Sequence, residues 1–290
     1  MRRTAILLVS ILSLFGLAAP ALAQTPPAGS EAAQCPSVKP LDASVQSKFT
    51  DLLTLPGSKL DMATLAKDPS LLQALQQVNA QQAASKTLDW AALCHYKAAN
   101  NAQRMKSPPR VIFLGDSITE NWIHGDPALF SDAVIDRGIS GQTTSQILLR
   151  FYADVVALHP AVVHLMAGTN DVAQNEGPIS DADILDNLRA MIDLAKANHI
   201  KVVLASIPPM AKVAWRPSLL PAARIVALND SLKRLAAERR IVFVDYYAAL
   251  KDSAGGMRAE LSNDGVHPNR DGYAAMRPLA DRAIASVRGK

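Results

Sequence analysis

A serine, a histidine and an aspartate in this chain have the types and surroundings that nucleophilic catalysis requires. Ser117 follows Val111-Ile112-Phe113-Leu114-Gly115-Asp116, an apolar run stopped by a glycine. Such a run reads as a buried strand that delivers a serine where open α/β sheets place their chemistry. A serine there is either a turn residue or a nucleophile, and its hydroxyl is a weak nucleophile until a base takes its proton. His267, in Asp264-Gly265-Val266-His267-Pro268-Asn269, is the candidate base. Asp264, three residues earlier, is the candidate orienter of its imidazole. Gly265 allows the loop to turn tightly and Pro268 restricts His267 to extended geometry. The competing reading is a helix-start loop with Asp264 as a cap and His267 at the surface.

Two further segments offer hydrogen-bond donors. In Arg137-Gly138-Ile139-Ser140-Gly141, Gly138 can present a backbone N–H with no side chain in the way. In Gly168-Thr169-Asn170-Asp171, Asn170 can present a side-chain amide. Their ordinary readings are a turn glycine and a capping asparagine. Asp116 adjoins Ser117 and reads, like Asp171, as a loop organiser. His124, His159, His164 and His199 show no ligand spacing such as HExxH, and His164 falls inside an apolar run, as a core histidine does. Trp122 and Trp215 read first as packing residues and second as walls for an acyl or sugar group. The Ile207–Met210 loop could border the same crevice.

The elements that must position these residues follow from periodicity. Strands are predicted at Val111–Leu114, Ala133–Asp136, Val162–Ala167, Val202–Ser206 and Ile241–Val244. Helices are predicted between them at 143–158, 183–198 and 222–239, with a last one at 271–287; Asp183 and Pro221 are suitable start residues. Alternating strands and helices predict an α/β domain with a parallel sheet covered on both faces. Right-handed crossovers favour a flavodoxin-like three-layer α/β/α sandwich with five strands in the order 2-1-3-4-5.

Ahead of this domain the composition differs. Arg2 and Arg3, the apolar run Ala5–Ala19 and Ala21-Leu22-Ala23 before Gln24 read as a signal peptide over 1–23, predicting export to the periplasm or beyond the cell. Residues 24–107 read as a helical accessory region, Pro-rich at first, then rich in Ala, Gln and Leu. Helices are expected at Ser70–Val78 and at Leu88–Met105, the second with Trp90, Leu93 and Ala98 among its apolar positions. The candidate catalytic residues all lie in the third section, 108–290. The two cysteines, Cys35 and Cys94, both lie in the helical region. Export favours a disulfide between them, worth on the order of 4 kcal/mol in the chain-entropy picture; the alternative is two unpaired thiols.

With 290 residues, 49% apolar and 19% charged, the chain can build a sizeable core. The formal charge of +4 falls to about +2 without Arg2 and Arg3, and no basic cluster with interleaved aromatics appears, so no nucleic-acid partner is implied. No run after the signal peptide is long enough to span a bilayer. Neither a zinc motif nor G-x-G-x-x-G, G-x-x-x-x-G-K-[ST] or G-x-S-x-G is present, so no cofactor or metal is implied and an α/β-hydrolase elbow is absent.

Gly115-Asp116-Ser117, Arg137 to Gly141, Gly168 to Asp171 and Asp264 to His267, in this order and each expected beside a strand end or the last helix, resemble the SGNH hydrolases, or GDSL esterase/lipase superfamily. The resemblance covers about 110–290; Ile118 stands where the GDSL signature has leucine, an apolar exchange. It implies a Ser117–His267–Asp264 triad that hydrolyses carboxylic esters through an acyl-enzyme. It also implies an oxyanion hole of the Ser117 N–H, Gly138 and Asn170. The run from Gly115 to Trp122 with Arg137 to Thr143 is similar to that of secreted lysophospholipase- or acetylhydrolase-type members, which favours short-chain acyl or acetyl esters. The substrate is a small-molecule, glycan or lipid ester. Lysophospholipase, thioesterase and O-acyltransferase chemistry, or a non-enzymatic glycan- or envelope-binding role, are the alternatives.

Overall fold

In the computed structural model, residues 35, 39–58, 62–213 and 216–288 are described. The predicted signal peptide and Trp215 lie outside them. Five short strands, β1 (Val111–Gly115), β2 (Val134–Gly138), β3 (Val162–Met166), β4 (Lys201–Ala205) and β5 (Val242–Val244), form one sheet. All pairings are parallel and the order is β2-β1-β3-β4-β5, as expected from the alternating pattern.

Side chains of a strand alternate between the two faces, so each strand feeds two cores. Ile112, Leu114, Val163, Leu165, Val202 and Leu204 pack against the helices Thr144–Asp154, Asp181–Ala197 and Ala222–Arg239. Phe113, Val162, Met166, Val203 and Val244 face the other way, onto Ile118, Trp122 and the helix Arg270–Arg288 through Tyr273, Met276 and Ala280. The sheet is therefore the middle of three layers. Register sets the level of the active edge: Gly115 lies opposite Gly138 on one side and Met166 on the other, so the loops after β1, β2 and β3 leave the sheet together.

Three of the departures from expectation have identifiable reasons. β2 runs on through Arg137 and Gly138, because the Arg137 guanidinium finds buried partners: Nε donates to Asn100 Oδ1 at 2.9 Å and Nη1 to the Asp136 carbonyl at 2.6 Å. The Asp181–Ala197 helix begins two residues before Asp183, with Ser180 as its cap: the Asp183 N–H donates to Ser180 Oγ at 3.1 Å. The helix expected over Leu88–Met105 is broken. Asp89 accepts the N–H groups of Leu93 and Cys94 at 2.8 and 2.7 Å, Ala92 takes a left-handed φ of 54°, and helix resumes only at Lys97–Arg104. Trp90 and Leu93 consequently stand exposed instead of lining a helix face.

A helix at Ala43–Thr54 and one at Pro69–Leu88 precede this turn, and 36–290 make up one compact unit. Neither cysteine is free: Cys35 and Cys94 are both disulfide-bonded. Among the described residues no helix is long and apolar enough to cross a membrane.

Candidate active site

Ser117 opens a one-turn helix, Ser117–Glu120, directly after β1. Asp116 caps that turn: its Oδ1 accepts the Ile118 N–H at 3.0 Å. Asp116 is buried, and loss of solvent pushes its carboxyl up to about 6. It organises the loop and does not touch His267 through a hydrogen bond.

The loop before the last helix carries the other two residues. Asp264 Oδ1 accepts the N–H groups of Val266 and His267 at 2.9 and 2.8 Å, and Gly265 between them takes a φ of +79°. Its second oxygen, Oδ2, lies 2.7 Å from His267 Nδ1, and His267 Nε2 lies 2.9 Å from Ser117 Oγ. Burial works against the Asp264 charge, but the facing imidazole and the hydrogen bonds from His267 and Val266 outweigh it and hold the carboxyl at about 2. An ionised carboxylate can only accept, so Nδ1 carries the imidazole proton and Nε2 is left to accept the serine O–H. For His267, burial favours the neutral ring, yet the Asp264 charge and hydrogen bond prevail and raise its pKa above the ordinary histidine value. The side chains of His267 and Asp264 are 18% and 21% exposed, so a small substrate can reach the base.

The donor side is less simple. The Gly138 N–H is already spent on Asp136 Oδ1 at 2.6 Å. Its glycine identity has a packing cause, because a Cβ there would come within 2.1 Å of the Glu120 N. Gly138 thus does not present the free donor expected of it. Gly141, three residues on, does: it sits at φ +79° with open space where a Cβ would be, and its N–H has no acceptor among the described residues. The Ser117 N–H is likewise uncommitted among them. Asn170 lies on the turn after β3, with Nδ2 at 3.0 Å from the Gln142 carbonyl and 3.3 Å from Asp116 Oδ2. Its Oδ1 accepts Asn175 Nδ2 at 2.6 Å, which fixes the face on which the amide N–H groups lie.

Other candidates take structural places. Asp171 is buried and receives the Thr144 N–H and hydroxyl, tying the third loop to a helix start. His164 is buried, stacked on Phe113 with ring centroids 4.5 Å apart, and held to the Tyr246 hydroxyl at 2.8 Å; desolvation keeps it neutral, with a pKa near 3. Trp122 is fully buried against Phe113 and Tyr273, so it packs and lines nothing.

Arg150, fully buried, was not singled out from the sequence. Its guanidinium donates to the carbonyls of Gly115 and Arg137, each at 2.8 Å, and pairs with Asp154. It ties together the ends of β1 and β2. The available signal was its place beside Phe151 and three residues after Ile147, on the apolar face of the Thr144–Asp154 helix.

Residues 113–275, more than half of the chain, match the GDSL-like Lipase/Acylhydrolase family. The protein belongs to that family. As a GDSL-family member it is a carboxylic ester hydrolase. It is 25% identical over 194 residues to the isoamyl acetate-hydrolyzing esterase of Saccharomyces cerevisiae, covering 57% of this chain and 81% of that one. It is 28% identical over 137 residues to Esterase TesA of Pseudomonas aeruginosa, covering 47% and 61%. Among solved structures, a GDSL-like lipase from Bacteroides thetaiotaomicron superposes with a TM-score of 0.65 at 40% identity, covering 68% of this chain and 99% of that one. The GDSL match begins at Phe113, so the turn at 89–96 lies ahead of it.

Proposed function

We propose that this GDSL-family protein is an exported serine esterase acting on short-chain acyl esters, with Ser117, His267 and Asp264 as its triad. The observation that carries the reading is the unbroken hydrogen-bond line from Asp264 Oδ2 through the His267 ring to Ser117 Oγ. His267 Nε2 takes the hydroxyl proton as Ser117 Oγ bonds to the ester carbonyl carbon, and Asp264 supports the imidazolium. The tetrahedral oxygen takes up negative charge and needs preorganised donors. The Ser117 N–H, the Gly141 N–H and Asn170 Nδ2 supply them, Asn170 giving up its longer contact to Asp116. The C–O bond to the alcohol then breaks, and His267 returns the proton to the leaving alkoxide. In the second half a water gives its proton to His267, attacks the acyl-enzyme, and releases the acid and Ser117.

The alcohol and acyl preference follow from less. The yeast relative hydrolyses isoamyl acetate, and the Gly115–Trp122 and Arg137–Thr143 runs point to small acyl groups. Export rests on the basic start, apolar run and Ala21-Leu22-Ala23 of the first residues. The decisive test is Ser117→Ala assayed on a chain-length series of p-nitrophenyl esters and labelled with a fluorophosphonate. The wild type turns over the short esters and is labelled, while the folded variant does neither. Turnover by a pure, folded Ser117→Ala protein would overturn the assignment.

A further inference from the structure

The turn between the Pro69–Leu88 and Lys97–Arg104 helices reaches both loops that carry the oxyanion donors. From Trp90, the backbone carbonyl accepts Gln146 Nε2 at 2.8 Å, and the indole Nε1 donates to Glu176 Oε2 at 3.2 Å. Lys86 pairs with the other oxygen of Glu176. The Ala91 carbonyl accepts Gln142 Nε2 at 2.9 Å, and the Tyr96 hydroxyl donates to the Gly138 carbonyl. One short segment thus grips the 138–142 loop at its first and last residues and the 170–177 loop at Glu176.

The grips on Gln142 and Glu176 are each one step from a donor. Gln142 follows Gly141, and its own carbonyl receives Asn170 Nδ2. Asn175, which precedes Glu176, holds Asn170 Oδ1. The segment is itself stiff: the Asp89 carboxylate ties its turn, Ala91 is buried, and the Arg137 guanidinium lies over the Tyr96 ring at 4.7 Å. It touches neither Ser117 nor the Asp264–His267 loop through any hydrogen bond among the described residues.

We infer that Lys86–Tyr96 is a clamp that sets the separation of the Gly141 N–H and the Asn170 amide, making Lys86, Trp90 and Tyr96 positioning residues for the oxyanion hole. This rests on the esterase reading. A clamp of this kind acts on the transition state, because donors misplaced by a fraction of an ångström still allow an ester to bind.

The test compares wild type, Glu176→Ala, Glu176→Gln and Tyr96→Phe on a p-nitrophenyl ester and on the matching thionoester, whose sulfur is a poor guest for N–H donors. Glu176→Ala and Tyr96→Phe should each lower kcat on the ester about ten- to hundred-fold with KM within about twofold. The ester-to-thionoester preference should shrink, and the pH midpoint should stay in place. Glu176→Gln keeps an acceptor for Trp90 Nε1 and should recover most of the rate. Wild-type kcat in Glu176→Ala, or equal losses on both substrates with no recovery in Glu176→Gln, would overturn the clamp. If wild type shows no Ser117-dependent turnover of any ester, the esterase reading falls and takes the clamp with it. If wild type is active and Glu176→Ala matches it, the clamp alone falls.

Discussion

The two sides of Ser117 are built in opposite ways. On the base side, Asp264 and His267 belong to one loop, and a single carboxylate does two jobs. Asp264 Oδ1 folds the loop by accepting its Val266 and His267 N–H groups, and Oδ2 orients the imidazole. On the oxyanion side the donors come from the ends of three strands, and the loops after β2 and β3 are also held by other segments. Asn170 is held by Gln142 and Asn175, Gln142 by Ala91 and Arg150, and Gly138 by Tyr96. A proton-transfer pair needs one distance and one tautomer, which a short loop can supply. A hole around an oxygen needs donors converging from several directions, which only tertiary contacts can supply.

The base side can be broken most severely. Asp264→Asn retains an oxygen to accept the loop N–H groups, so the fold should persist. Its amide, however, favours the wrong imidazole tautomer and withdraws the charge that supports imidazolium. A loss of about 10⁴-fold in kcat is expected, read by steady-state assay beside a circular dichroism check of folding. A loss below tenfold would mean that the loop's ordering, and not its charge, is what matters.

Asn170→Ala strikes the other side and should cost about a hundred- to thousand-fold in kcat, with KM nearly unchanged. A purely raised KM would place Asn170 in ground-state binding and dissolve the contrast.

The pH profile separates the two sides with the smallest effect. Only neutral His267 can take the serine proton, and its pKa is raised by Asp264. Activity should therefore rise with pH through a midpoint above the ordinary histidine value of about 6.5 and fall as pH drops below it. Asp264→Asn should move the residual midpoint down, whereas Asn170→Ala should leave it where it is. A shared shift in both variants would show the sides to be electrostatically coupled through Asp116, which accepts from Asn170 Nδ2 and whose charge acts on His267.

Much of this was legible beforehand, for physical reasons that differ from residue to residue. The five strands and their order follow from apolar runs alternating with amphipathic ones, and the sheet has that order. Asp264 and His267 could be paired because three residues of loop leave little freedom. Gly138 was misread because a glycine's identity does not reveal whether its missing Cβ serves approach to a ligand or packing. Here Glu120 occupies that space, whereas the space beside Gly141 is open. The broken helix at 89–96 was misread because apolar residues at helical spacing outweighed one Asp. That Asp captures two backbone N–H groups only in the folded turn.

By itself the sequence determined the parallel sheet, its strand order, and a serine, a histidine and an aspartate expected at its loop edge. These follow from periodicity and short-range stereochemistry, which act within a few residues. The tertiary structure alone decided which backbone N–H groups remain free and which distant segment bonds to the loops that carry them. An N–H is free or spent according to what lies next to it: Asp136 takes that of Gly138, Gln142 and Asp116 receive the Asn170 amide from other loops, and that of Gly141 has no acceptor among the described residues.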